Sequence, residues 1–139
     1  MTIPELSFHH CGVSVPDLEQ AIAWYKRVLG FQLERRFYIN EAKAEVAMIR
    51  RGPLRFEIFE VHGAHLLPEG RRHPLHDIRT HGNKHIAFEV HAVDELLSCL
   101  RQQNADIAKV VNEPFGKSCF VRDCAGNLIE FVERTLSKK

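Results

Sequence analysis

The sequence predicts an α+β fold made of two βαβββ units, and three observations predict it. First, an offset of 75 residues carries His10 onto His85, Val13 onto Phe88, Val15 onto Val90, Leu18 onto Val93 and Ile22 onto Leu97. Second, each of these stretches starts as an alternating, strand-like run and passes into apolar residues at helical spacing. Third, each half closes on a strand-like run with one glutamate among apolar residues, Phe56-Glu57-Ile58-Phe59 and Ile129-Glu130-Phe131-Val132. A tandem duplication accounts for all three, since Glu57 reaches Glu130 at an offset of 73 with only a two-residue gap.

Taken in order, residues 6–15 alternate and read as the first strand. Pro16-Asp17 opens a helix, with Asp17 as N-cap and Gln20 closing a capping box. Leu18, Ala21, Ile22, Tyr25 and Leu29 form its apolar face, and Gly30 is suited to end it. Strands follow over Phe31 to Tyr38, Ala44 to Ile49 and Leu54 to Val61, with turns at 40–43 and 51–53. Residues 62–82 break the pattern with Gly63, Pro68, Gly70, Pro74 and Gly82 and five histidines, His62, His65, His73, His76 and His81. They read as a long linker, its histidines solvent-exposed; long ordered loops often serve as functional covers. The second half repeats the first: strand 84–91, helix 93–104 with Val93, Leu96, Leu97 and Leu100 inward, strand 106–111, turn 112–116, strand 118–123, turn 123–127 and strand 128–133. The chain thus divides into a first module (1–61), a linker (62–82) and a second module (83–139), together one integrated domain.

Bulk composition narrows the function classes. The chain has 139 residues, 45% of them hydrophobic, enough for a sizeable core. A net charge of +1 gives no pull toward nucleic acid or anionic membrane. No apolar run approaches the roughly 18 residues of a transmembrane helix. The first residues carry neither a basic nor an apolar leader pattern. Cys11, Cys99, Cys119 and Cys124 form no Cys-x-x-Cys pair, and Cys11 and Cys99 fall inside element patterns as small apolar residues. All this points to a cytoplasmic protein.

Alternation also sorts the polar residues. With Val13 and Val15 toward the helix, His10, Gly12 and Ser14 share the opposite face; the repeat places His85 and Ala87 there. Glu57 and Phe59, like Glu130 and Val132, form one face of the closing strands, while Glu60 and Glu133 fall on the other. His9 has the wrong parity. Two imidazoles and two carboxylates, His10, Glu57, His85 and Glu130, make a nitrogen/oxygen set suited to a divalent transition metal such as Zn, Ni, Fe, Co or Mn, and the carboxylates cancel its charge. If the halves are duplicates, the four should meet at one place.

These residues resemble a known family. His10-Cys11-Gly12-Val13-Ser14-Val15-Pro16-Asp17-Leu18-Glu19, Trp24-Tyr25, Val28-Leu29-Gly30-Phe31, Asn83 to Val90 and Asp123 to Glu130 are similar to signatures of the vicinal oxygen chelate superfamily, which includes glyoxalase I, fosfomycin-resistance proteins and extradiol dioxygenases. The resemblance implies paired modules whose mixed sheet curls around a metal held at His10, Glu57, His85 and Glu130, a set like that of bacterial glyoxalase I. It further implies a metal-dependent lyase or isomerase acting on a small substrate with vicinal oxygens through a metal-stabilised enediolate, with Glu130 and then Glu57 as the catalytic carboxylates, in a homodimer. Alternatives within the fold are an Fe(II) ring-cleaving dioxygenase and a fosfomycin-type resistance enzyme; the alternative of another class is a non-catalytic antibiotic-binding protein. One departure stands out. Glyoxalase I enzymes tend to carry Arg and Asn, used for glutathione, where this chain has Ser14 and Val61.

Overall fold

Two four-stranded mixed sheets, each covered on one face by a helix, make up the computed structural model, which describes residues 2–114 and 116–133. The first module contains β1 (Cys11–Ser14), α1 (Leu18–Leu29), β2 (Gln32–Ile39), β3 (Ala44–Arg51) and β4 (Leu54–Val61). The linker holds a single 3-10 turn (Glu69–Arg72) and the four-residue helix α2 (Pro74–Asp77). The second module contains β5 (Ile86–Val90), α3 (Val93–Gln102), β6 (Asp106–Glu113), β7 (Gly116–Arg122) and β8 (Leu128–Glu133). The sheet orders are β1-β4-β3-β2 and β5-β8-β7-β6, each with its first strand parallel to its last and the rest antiparallel. The α+β fold and the doubled βαβββ order read from sequence are therefore present.

The duplication extends to register. Cys11 pairs with Phe56 and Gly12 with Glu57; Ile86 pairs with Ile129 and Ala87 with Glu130, the equivalent positions. A β-bulge interrupts the β2–β3 ladder between Leu33 and Arg35 and the β6–β7 ladder between Ile107 and Lys109. Both halves thus share pairings and irregularities.

Local chemistry explains the boundaries. The Asp17 carboxylate accepts a hydrogen bond from Gln20 N at 3.0 Å, satisfying an orphan N–H of the first turn of α1. Gly30 ends that helix at φ +76°, a left-handed conformation that glycine adopts without steric cost. In the second module Asn104, at φ +53°, takes the left-handed position just beyond α3. Glu60 accepts from Leu18 N at 2.6 Å, so its carboxylate faces the helix N-terminus, as parity required.

Several expectations need correction. The first strand starts at Cys11, not residue 6: residues 2–10 pair with no strand, and Ile3, Leu6 and Phe8 are exposed. Alternation describes which way side chains point; a strand also needs a neighbour for its backbone. The strand predicted over 84–91 covers only Ile86–Val90, and the helix predicted to 104 ends at Gln102. β6 continues to Glu113 and β7 starts at Gly116, which shortens the predicted 112–116 turn; Phe115 in that turn and residues 134–139 of the second module lie outside the described residues. Cys99 is exposed rather than packed, while Cys119 is fully buried; all four cysteines are free.

One core joins the modules. Tyr25, Leu18, Ile49, Phe56 and Ile58 from the first cluster with Val93, Leu97, Leu100, Val121 and Ile129 from the second. Phe56 and Phe31 meet Phe88 at ring-centre distances of 6.0 and 6.3 Å across the boundary. The helix-facing residues of both sheets are consumed in this core. The far faces, away from the helices, carry the candidate metal ligands.

Candidate metal centre

On the first sheet His10, just before β1, reaches Glu57 on the neighbouring strand, with Nε2 3.3 Å from Oε1. On the second, His85, just before β5, reaches Glu130, with Nε2 3.0 Å from Oε1. Both pairs lie on the far faces, because Phe56 and Ile58, and Ile129 and Phe131, turn the other way into the core. The pairing is the repeat made visible: parallel β1–β4 and β5–β8 ladders carry the histidine and the glutamate of each half into contact. All four side chains are partly accessible, between 19% and 32% exposed, so they can be reached from solvent.

The contacts seen within the chain join the four two by two, His10 with Glu57 and His85 with Glu130. Among the described residues no three His, Cys, Asp or Glu side chains come close enough to hold one ion. His10 and His85 do border the same large cleft, whose walls also include Ser14, His62, Arg72 and Lys84. Each pair offers one imidazole nitrogen and one carboxylate oxygen, donors of the kind a first-row divalent ion takes. The residues therefore fit a metal in chemical kind, arranged as two donors on each of two sheets.

The surroundings add residues that sequence reasoning passed over. His9, set aside by parity, places its Nδ1 2.7 Å from Nδ1 of His10, so the two rings share one hydrogen and His9 orients the ring that meets Glu57. The adjacency of two histidines was the available signal. His85 packs edge-on against Phe120 at 5.0 Å. Burial first, and then the Glu130 carboxylate, push the neighbouring Cys119 thiol up to about 11. Cys119 therefore stays a neutral thiol at ordinary pH. Gly12 leaves room for Phe59, whose ring a Cβ at that position would touch at 3.4 Å.

The remaining basic and linker residues are accounted for. Arg50 and Arg55 both bind Glu34, and Lys117 binds Asp94. Among the linker histidines, His62, His65, His76 and His81 are exposed; His73 is half-buried between Glu69 and Arg122. The linker also contains a buried carboxylate, Asp77, held by Arg71 at 3.0 Å and Lys84 at 3.3 Å. Nothing in its local pattern marked it as internal. Ser14 spends its carbonyl on Asn127 Nδ2 at 3.4 Å, and its side chain is no replacement for an arginine.

Residues 7–131 match the Glyoxalase/Bleomycin resistance protein/Dioxygenase superfamily, nearly the whole chain. The chain belongs to that superfamily. It is 29% identical over 136 residues to the human mitochondrial methylmalonyl-CoA epimerase, covering 90% of this chain and 72% of that one. It is 30% identical over 124 residues to a 2-epi-5-epi-valiolone epimerase of Actinomyces sp, covering 78% of this chain and 64% of that one. Among solved structures, a glyoxalase family protein from Enterococcus faecalis superposes with a TM-score of 0.77 at 22% identity, over 91% of this chain and 97% of that one. Among the described residues of this superfamily member, no helix is long and apolar enough to cross a membrane.

Proposed function

We propose that the chain is a metal-dependent enzyme that moves a proton at a carbon next to a carbonyl, the step common to a glyoxalase-like lyase or isomerase and an epimerase. The observation that carries this reading is the pair of His–Glu contacts, His10–Glu57 and His85–Glu130, at equivalent registers on the far faces of both sheets. The two epimerase relatives support it, since an epimerase removes and returns a proton at one carbon. We take the two pairs as halves of one ligand set within a homodimer of a cytoplasmic protein, residues 1–61 and 83–139 acting as modules of one domain. Ni, Zn, Co, Fe and Mn all suit the donors.

When bound, the ion supplies Lewis-acid stabilisation of the negative charge that develops on the substrate oxygens. The chain supplies the rest. Glu130 is the base that takes the proton and returns it, with Glu57 as the second carboxylate on the other sheet. His10 and His85 hold those carboxylates in place, and His9 fixes the His10 ring. Ser14 and Val61 argue against glutathione as the carrier of the substrate.

Elemental analysis of untagged protein, combined with sedimentation, should find one transition-metal ion per chain. Two ions per chain would mean that each pair binds its own. Glu130→Gln should keep most of the metal and lose at least about 100-fold in deuterium wash-in at the acidic carbon of a panel of small α-acidic carbonyl compounds. Full exchange in that variant removes Glu130 from the base role. Metal-free protein that still binds small molecules would favour a non-catalytic binder instead.

A further inference from the structure

The two far faces share a second feature. Directly across the sheet from Glu57 stands Met48, and directly across from Met48 stands Arg35. In the second module the row runs Glu130, Phe120, Lys109. Side chains of directly opposed residues point to the same face. Each candidate carboxylate therefore has a cation two strands away in its own row, roughly 10 Å between the outer backbones. Both cations sit immediately after the β-bulge of their ladder, and bulges re-aim side chains beside functional sites.

These two cations differ from the other basic residues in the strands. On the helix face Arg36 binds Glu19 and Lys117 binds Asp94, carboxylates supplied by α1 and α3. Arg50 and Arg55 bind Glu34, Arg122 binds Asp106, and Arg51 donates to the Leu29 carbonyl. Among the described residues Arg35 and Lys109 have no carboxylate partner. Arg35 is exposed, and its guanidinium stacks over the Phe37 ring at 4.7 Å on the same face, which holds it in place without neutralising it. Lys109 is half-buried. Two uncompensated cations at equivalent places in a duplicated sheet, each in line with a ligand-face glutamate, form a charge arrangement that awaits an anion.

We infer that Arg35 on the first sheet and Lys109 on the second each bind an anionic group of the substrate that lies against its own sheet, a carboxylate or phosphoryl group a few bonds from the reacting carbon. The inference rests on reading the far faces as the substrate-binding surface. The arginine fork suits the two oxygens of either group, and the lysine adds a point charge. Both residues act in binding and orientation, leaving proton transfer to the glutamates. This gives the chain cations for an anionic substrate although Ser14 and Val61 stand where glyoxalase I enzymes tend to carry Arg and Asn.

The test uses the full chain freed of metal by a chelator, so that its outcome does not depend on metal chemistry. Inorganic phosphate and malonate are titrated separately, with glycerol as neutral control, and backbone amide shifts are followed by NMR. At least one anion should bind saturably, with shifts in β2, β3, β6 and β7. Arg35→Gln should weaken the binding reported by β2 and β3, and Lys109→Gln that reported by β6 and β7, each by about tenfold. Arg36→Gln, on the helix face, should leave it within about twofold. Tighter binding of malonate marks a carboxylate substrate, and tighter binding of phosphate a phosphoryl one. Affinity unmoved by both far-face substitutions, equal loss in Arg36→Gln, or no saturable binding of either anion overturns the assignment. Saturable anion binding that is lost in Arg35→Gln and Lys109→Gln, in protein that takes up no metal, would retain the assignment and reject the metal-dependent reading. Intact metal uptake with unaltered anion binding would do the reverse.

Discussion

Tyr25 shows how one side chain ties the halves together. Its helical spacing identifies it as a core residue, and it is fully buried. Its hydroxyl donates to Asp123 at 2.7 Å, a partner 98 residues away in the β7–β8 turn. Asp123 also accepts from the backbone N–H groups of Ala125 and Asn127 and from the Asn127 amide. The Asn127 amide in turn donates to the Ser14 carbonyl at the end of β1. The buried charge is thereby satisfied entirely by donors that fix the turn and the helix relative to each other. Tyr25→Phe should cost about 1–3 kcal/mol, measured by urea denaturation, because it removes a donor to a buried carboxylate. A change within error would mean that the hydroxyl does nothing for the junction between modules.

At the scale of elements, the linker is held down rather than loose. Arg122 of β7 donates to the Arg72 carbonyl at 2.7 Å and approaches His73 Nδ1 at 3.3 Å, while Arg72 lies over the Ala125–Gly126 turn. Because Arg122 is a donor only, His73 Nδ1 must accept, which leaves its Nε2–H to Glu69. Gly126 is required by its backbone and also leaves room for the end of a long side chain. Its φ is +95°, and a Cβ there would run into the Arg72 guanidinium. Gly126→Ala should therefore cost about 1–3 kcal/mol by thermal unfolding and speed tryptic cleavage of the 62–82 linker. Unchanged cleavage would show that the linker is anchored elsewhere, through Asp77 and its two cations. The sequence marks residues 62–82 as irregular because of Gly and Pro, but the contacts that dock them come from β7 and the β7–β8 turn, some 50 residues on.

For the whole molecule, the buried ionisable groups set an alkaline limit. Burial first, then Asp123, push the Cys124 thiol up to about 11, matching Cys119, and burial, then the Asp123 charge, raise the Tyr25 hydroxyl well above its usual 10. All three are held in their protonated form by the fold. The unfolded chain gives up these protons at lower pH, so their contribution is complete below about pH 9 and is lost as pH rises toward 11. Urea midpoints should stay level from neutral pH to about 9 and then fall steadily. A midpoint flat to pH 11 would mean that the thiols and the phenol titrate as they do in the unfolded chain.

Sequence alone determined the doubled βαβββ order and the faces of the strands, with Glu57 on one face and Glu60 on the other. Each of these follows from a period, two for a strand and 3.6 for a helix, or from an offset between two copies, and those are local quantities. It was also enough to make neighbours of His10 and Glu57 and of His85 and Glu130, because parallel pairing of first and last strands is built into the unit. Only the tertiary structure decided how far each strand extends, since residues 6–10 alternate yet find no partner. It likewise decided which cations are neutralised, because Arg36 and Lys117 meet helix carboxylates while Arg35 and Lys109, just past matching bulges, meet none. Most consequentially, it kept the two His–Glu pairs on separate sheets. Their meeting depends on how whole modules pack, and no periodicity along one chain encodes that.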